Sequence, residues 1–288
     1  MLLKGISHAD PARTHRINSS AARGSFDPMT TDCLNLTQDG EVRILRLMQP
    51  ERRNALSDEM RAELRDALRA AHDDPAVCSI VLAGSGGCFC AGGDIKGMGQ
   101  PVDIALTRLD VVHDVVRLIA LGPKPVVAAV DGVAYGGGMS LALCCDSVVA
   151  TPGARFCASF GRVGLVPDMG AMWSLPRRIG AARALRFLQQ GTEVRGEAAV
   201  DMGLADVLAA TGTDEDLIAT ATQEARALVP AAPLPGGHMR RIIARHHGDL
   251  EAVLSDEREA QGALFATEDH DEARRAFLEK RPPGFIGR

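Results

Sequence analysis

The chain has 288 residues, 46% of them hydrophobic and 24% charged, which is enough apolar material for one large core with an appendage and far from the composition of a disordered chain. A formal net charge of −5 argues against a sequence-independent nucleic-acid binder, which needs a clustered excess of Lys and Arg, and makes a small-molecule ligand the default. The 7 cysteines form no disulfide framework, and neither the C-x-C of Cys88 and Cys90 nor His246-His247 has the matching pair a zinc site needs. No apolar run reaches the roughly 18 residues that span a bilayer, so the expectation is a cytoplasmic protein without a metal and without a membrane partner.

Residues 1–28 are polar and aperiodic, and are expected to form a loose leader. Arg13, Arg16 and Arg23 leave a targeting peptide open, against which Asp10, Asp27 and the lack of an apolar centre count. Residues 41–47 alternate imperfectly and predict a strand. Ser57 then predicts a helix start, with Asp58 and Glu59 in the first turn and Met60, Leu64, Ala67, Leu68 and Ala71 on one face. The runs SIVLA (79–83), VVAAV (126–130) and SVVA (147–150) suit strands covered on both faces. Between the first two lies a helix pattern with Ala105, Leu109, Val112, Val116 and Ile119 on one side. This order predicts right-handed βαβ units and an α/β core over 29–210. Beyond Thr211 helical signals take over, broken by the Pro/Gly stretch 230–237, and 211–288 is expected to be a helical region. The basic run 238–247 is either a solvated helix face or a contact to an anionic group.

Two glycine-rich turns carry the chemistry, Ala91-Gly92-Gly93-Asp94 after SIVLA and Gly136-Gly137-Gly138 after VVAAV. Each falls where a strand gives way to a helix, where first-turn N–H groups lack intrahelical partners. Two such donors converging would make an oxyanion hole; the alternative is a pair of tight turns. Neither turn is a G-x-G-x-x-G fingerprint or a P-loop, and G-x-S-x-G fails after Gly138 because position 142 is alanine.

Four blocks in order, RRNALS (52–57), CFCAGGDIKGM (88–98), PKPVVAAVDGVAYGGGMSLALCCD (123–146) and GLVPDMG (164–170), with the tail AFLEKRPPGFIGR (276–288), resemble the signature of the enoyl-CoA hydratase/isomerase, or crotonase, superfamily over 36–288. The resemblance implies an acyl-CoA substrate, a spiral of βαβ units and a C-terminal helical region packed within a homotrimer or hexamer. It implies no cofactor beyond the coenzyme A carried by the substrate. It assigns the oxyanion hole to the N–H groups of Gly93 and Gly137, and the CoA path to Ala55, Ala91, Gly92, Asp94 and Ile95. Arg52 and Arg53 become phosphate contacts, with a solvated surface as the alternative, and Asp94 is alternatively a helix cap.

Where hydratases of the family resembled here carry two water-holding glutamates, this chain has Ser140 and Phe160. A phenyl ring takes no proton, and a hydroxyl is too weak an acid or base to replace a glutamate unaided. Asp168 of VPDMG remains, and resembles the single catalytic acid of Δ3,Δ2-enoyl-CoA isomerases and of the phenylacetyl-CoA epoxide isomerase. Its neighbours Leu165, Met169, Met172 and Trp173 are expected to desolvate it; its alternative role is capping the next helix. His113 is expected to be a packed or surface histidine. The function expected is isomerisation of an acyl-CoA thioester with Asp168 as proton shuttle. The alternatives are hydration or other thioester chemistry, and a non-catalytic acyl-CoA-binding subunit.

Overall fold

The computed structural model describes residues 28–97, 99–229 and 250–284, together with 237, 240, 241, 243 and 244. The leader 1–27, Met98, the Pro/Gly stretch 230–236, most of the run 238–247 and the last residues 285–288 lie outside the described residues.

The main sheet orders its strands β1-β2-β3-β4-β5-β7-β10, with β1 (Met29–Thr30), β2 (Leu34–Asp39), β3 (Val42–Leu47), β4 (Ser79–Ala83), β5 (Val126–Val130), β7 (Ser147–Ala150) and β10 (Val207–Leu208). β1, β2 and β3 pair antiparallel, and from β3 to β10 the pairing is parallel. The crossover from β3 to β4 is helix α1 (Asp58–Asp73), and that from β4 to β5 is α2 (Val102–Leu121). These are the βαβ units expected. The Ser57 hydroxyl accepts from the Met60 N–H, a cap worth about 1 kcal/mol, and the buried face of α1 includes Met60, Leu64, Ala67, Leu68 and Ala71.

The central strands β4 and β5 are almost wholly apolar because each feeds two cores. Ile80 and Leu82 of β4, with Val126, Ala128 and Val130 of β5, face the main core under α1 and α2. Val81, Ala83, Val127 and Ala129 point the other way, into a second cluster closed by Leu217, Ala221 and Ala225. Those three residues recur every fourth position along α7 (Asp214–Ala227), so the first helix of the C-terminal region covers the outer face of the sheet.

A second sheet, β6-β8-β9, joins β6 (Val133–Tyr135), β8 (Arg155–Cys157) and β9 (Glu193–Arg195). β6 leads into α3 (Gly137–Leu143), so a strand of the second sheet intervenes between VVAAV and the second glycine turn. The remaining helices are α4 (Ala171–Ile179), α5 (Ala181–Gln190), α6 (Gly196–Met202), α8 (Leu250–Phe265) and α9 (Glu268–Glu279). Within the basic run, Arg240 is built into the fold: its guanidinium reaches Asp146 at 2.6 Å and the carbonyls of Ile119, Gly122 and Lys124. Among the described residues no helix is long and apolar enough to cross a membrane, and no cluster of His, Cys, Asp and Glu could hold a metal ion.

Candidate active site

The two glycine turns are brought together by the chain that precedes them. After β4, the N–H of Phe89 donates to Asp131 O at 2.7 Å, that of Cys90 to Val133 O at 2.8 Å, and Tyr135 N–H returns to Cys90 O at 3.1 Å. Cys90 therefore pairs with Ala134 as a short parallel bridge, and residues 91–93 leave it beside residues 136–137. The approach leaves no room for side chains. Gly92 has φ +95°, and a Cβ there would lie 2.7 Å from Tyr135 O and 3.2 Å from Gly137 N; a Cβ on Gly138 would lie 2.1 Å from Cys90 O. Gly137 opens α3, where an N–H has no intrahelical acceptor, and Gly93 sits in a bridge to Leu56 that uses the neighbouring peptide groups. Among the described residues neither N–H donates to a protein acceptor.

A third turn buttresses this pair. Arg53 and Asn54 both take left-handed backbone, φ 53° and 52°. The buried Asn54 donates to Ser85 O at 3.0 Å and Cys88 O at 2.7 Å, and its Oδ1 accepts from Gln49 N–H at 2.9 Å. Arg53 O then accepts from Ala91 N–H at 3.0 Å, and Leu56 N–H donates to Gly92 O at 2.8 Å. The RRNAL segment thus holds the first glycine turn through main-chain bonds, and Asn54 locks it.

Ala91, Gly92, Gly93, Asp94, Ile95, Gly137, Phe160 and Asp168 line one cavity of about 400 Å³, within the usual range for ligand sites. Four expected residues lie outside that wall. Arg52 pairs with Asp94 at 3.0 Å beside the cavity, Arg53 is exposed, and Ala55 is buried behind the turn. Ser140 is fully buried inside α3, its hydroxyl donating back to Gly136 O at 3.2 Å instead of opening into the cavity. Asp94 precedes a short 3-10 turn, Ile95–Gly97, whereas the N-cap of α2 is Pro101.

Asp168 is presented by a sharp turn. Met169 and Gly170 are left-handed in succession, φ 53° and 75°, Ala171 N–H closes back on Asp168 O at 3.2 Å, and the Cys144 thiol donates to Met169 O at 3.2 Å. The N-cap of α4 is Gly170. Leu165 and Met169 share the cavity wall with Asp168, but Met172 and Trp173 do not: Met172 is 41% exposed and Trp173 carries Arg177 stacked 3.9 Å over its ring. The expected desolvating set is therefore reduced to two, because α4 turns the later residues away. The gap is filled by residues the sequence does not place at the site, among them Phe265, an apolar position expected to serve oligomerisation. Gln261 of α8 donates from Nε2 to Asp168 Oδ2 at 3.0 Å. Phe265 and His270 line the cavity as an edge-to-face pair 5.4 Å apart, and His270 Nδ1 is 2.9 Å from Val163 O, tying α9 to the segment that carries Phe160. His113 is buried within α2, the packed one of the two placements expected for it.

Arg61 and Arg108 add positive charge to the wall. Burial lowers the Arg61 pKa while the charges of Asp58, Asp168 and Asp94 oppose that shift, so the guanidinium and the Asp168 carboxylate lie within electrostatic reach of each other. Thiol chemistry is disfavoured: burial pushes Cys90 up to about 12 and also raises Cys88, which keeps both as neutral thiols.

The comparisons agree with this architecture. The family model described as enoyl-CoA hydratase/isomerase matches residues 37–288. The chain is 36% identical over 253 residues to the 1,2-epoxyphenylacetyl-CoA isomerase of Escherichia coli (strain K12), covering 86% of this chain and 95% of that one. It is 36% identical over 247 residues to a probable enoyl-CoA hydratase of Rhodobacter capsulatus, covering 85% and 94%. The crystal structure of an enoyl-CoA hydratase from Mycobacterium avium subsp. paratuberculosis K-10 superposes with a TM-score of 0.79 at 26% identity, over 89% of this chain and 100% of that one. With its sequence matched over residues 37–288 and its fold over 89% of the chain, this protein belongs to the enoyl-CoA hydratase/isomerase family and has the crotonase fold.

Proposed function

We propose that the protein isomerises the double bond of an enoyl-CoA thioester, with Gly93 and Gly137 as the oxyanion hole and Asp168 as the proton shuttle. The observation that carries this reading is the state of the carboxylates on the cavity wall. Asp94 is engaged by Arg52, the Asp271 side chain is 62% exposed at the rim, and Asp168, half-buried on the cavity wall, accepts from the Gln261 amide with the Arg61 guanidinium within electrostatic reach. Position 160 offers a phenyl ring to the cavity and position 140 a hydroxyl turned into the core.

The chemistry follows from that set. Asp168 takes a proton from the carbon between the thioester and a 3,4 double bond, the C–H electrons move into a dienolate, and the negative charge settles on the thioester oxygen. Two N–H donors stabilise that oxygen, and losing one such donor typically costs ~100-fold to 1,000-fold in rate. The same carboxyl then returns its proton to the far carbon of the dienolate. One base serves both transfers, whereas hydration also needs a held and activated water. The isomerase name of one relative supports the reading, and the hydratase name of another sets the alternative that the test must separate.

The test is ultraviolet and mass-spectrometric monitoring of the purified protein with matched 2-enoyl- and 3-enoyl-CoA thioesters. Isomerisation gives conjugated product from the 3-enoyl thioester at unchanged mass. Rapid gain of water by the 2-enoyl thioester, with the 3-enoyl thioester untouched, contradicts the assignment. We also propose a homotrimer or hexamer: Phe277 and Leu278 of α9 are 57% and 50% exposed on the single chain. Sedimentation showing an active monomer at micromolar concentration would overturn that.

A further inference from the structure

Gln261 is completely buried on α8, 93 residues away in sequence from the carboxylate it meets. Its Nε2 donates to Asp168 Oδ2 at 3.0 Å, and its Oε1 is buried with no hydrogen-bond partner among the described residues. A buried acceptor left unmet is unusual and costly, and a methionine of similar length would pack without that cost. An amide has one property that methionine lacks. A half-turn about its last torsion exchanges a donor for an acceptor at the same place. Because nothing else among the described residues holds Oε1, that half-turn breaks no other hydrogen bond there.

We propose that Gln261 is a positioning residue for the Asp168 shuttle, its amide donating to the carboxylate and, after the half-turn, accepting from the carboxylic acid. The inference rests on the isomerase reading and adds a partner to it. In the first transfer the substrate C–H bond breaks, an Asp168 O–H bond forms and the electron pair enters the dienolate; in the second the O–H bond breaks and a new C–H bond forms. Asp168 thus alternates between two states with opposite hydrogen-bonding needs, and Gln261 meets both without moving its backbone. The same helical hairpin supplies Phe265 and His270 to the cavity, so the elements that roof the site also hold its base.

The elements packed around Asp168 bring other charged and titratable groups: Arg61 of α1, Arg108 and His113 of α2, Asp94, Cys144 after α3, Arg177 of α4, and His270 and Asp271 of α9. Arg258, on α8 itself, is paired with Asp110 of α2 at 3.1 Å. Replacing Gln261 changes none of them. The test is the pH profile of kcat and kcat/KM for 3-enoyl-CoA conversion by native protein, Gln261→Met, Gln261→Glu and Asp168→Asn, with folding checked by circular dichroism. Loss of the donor in Gln261→Met should leave KM near native, lower kcat about 10-fold and move the acid limb up by about one pH unit. Gln261→Glu, which preserves size and polarity, should move that limb further, since two adjacent carboxyls share one proton. If the methionine variant does not fold, the glutamate variant decides alone. Normal isomerisation by Asp168→Asn would sink the shuttle reading itself. An inactive Asp168→Asn beside Gln261 variants with native kcat and native profile would overturn the Gln261 proposal and leave the shuttle standing.

Discussion

The cavity wall is built in two ways. On the glycine side the backbone does the building: residues 91–93 and 136–138 are held by main-chain hydrogen bonds, and at Gly92 and Gly138 a side chain is excluded because Tyr135 O and Cys90 O occupy the space. On the Asp168 side the builders are side chains, a carboxylate on a left-handed turn, an amide from α8 and a ring pair from the α8–α9 hairpin. The first side tolerates almost no substitution for reasons of packing. The second keeps its fold when a side chain changes and loses only what that side chain contributed.

The sharpest break in that comparison is Gly138→Ala. Its Cβ would fall 2.1 Å from a backbone oxygen that cannot retreat, so urea unfolding should show a loss of at least about 3 kcal/mol, with activity lost as a consequence. Gly137 differs instructively. The nearest atom to a Cβ there is the Met169 sulfur at 3.0 Å, the end of a flexible side chain, so Gly137→Val should fold. It should nonetheless block the approach of the thioester oxygen, with turnover reduced by ~100-fold or more while CoA binding persists. A folded Gly137→Val protein with native turnover would break the assignment of that N–H.

The helical layer that packs on the sheet also carries a pH dependence. His72 is wedged between α1 and the end of α2, with Nε2 at 2.9 Å from Leu118 O, and burial is the chief cause that lowers its pKa from 6.5 to about 4. The folded state resists protonation that the unfolded chain accepts. The contribution is therefore present above 6.5 and is lost as the pH falls toward 4, by about 2 kcal/mol at pH 5. Chemical denaturation across that window should show the slope, and His72→Gln should flatten it.

The smallest effect is expected at Arg52. Its pairing with Asp94 at 3.0 Å leaves the arginine side chain 43% exposed, so Arg52→Ala should change stability by less than about 1 kcal/mol. If it meets a CoA phosphate, KM should rise a few-fold at low salt with kcat unchanged. A fall in kcat instead would move Arg52 onto the catalytic side of the comparison.

The glycine side was legible in the sequence because its constraints are local. Short, mostly apolar strand runs, a serine cap and clustered glycines announce themselves within a few residues, and the two turns stand in one cavity wall. Asn54 escaped notice because a buried asparagine bridging 31 and 34 residues has no periodic signature. Position in a motif puts Ser140 at the site, whereas its hydroxyl is spent on the Gly136 carbonyl inside α3. The Asp168 side was half legible. The carboxylate stood out against two missing glutamates, but Gln261, Phe265 and His270 arrive from α8 and α9, and helical periodicity says which face of a helix is apolar without saying which cavity it roofs.

The central claim is that Asp168 carries one proton between two carbons, and the most direct measurement compares native protein with Asp168→Asn on a 3-enoyl-CoA thioester in deuterated water. The substitution preserves size and the contact with the Gln261 amide while removing the base. The account predicts that the native protein forms conjugated product with partial deuterium at the receiving carbon, and that a folded, ligand-binding Asp168→Asn loses at least about 100-fold in rate. Isomerisation by Asp168→Asn at the native rate would contradict it.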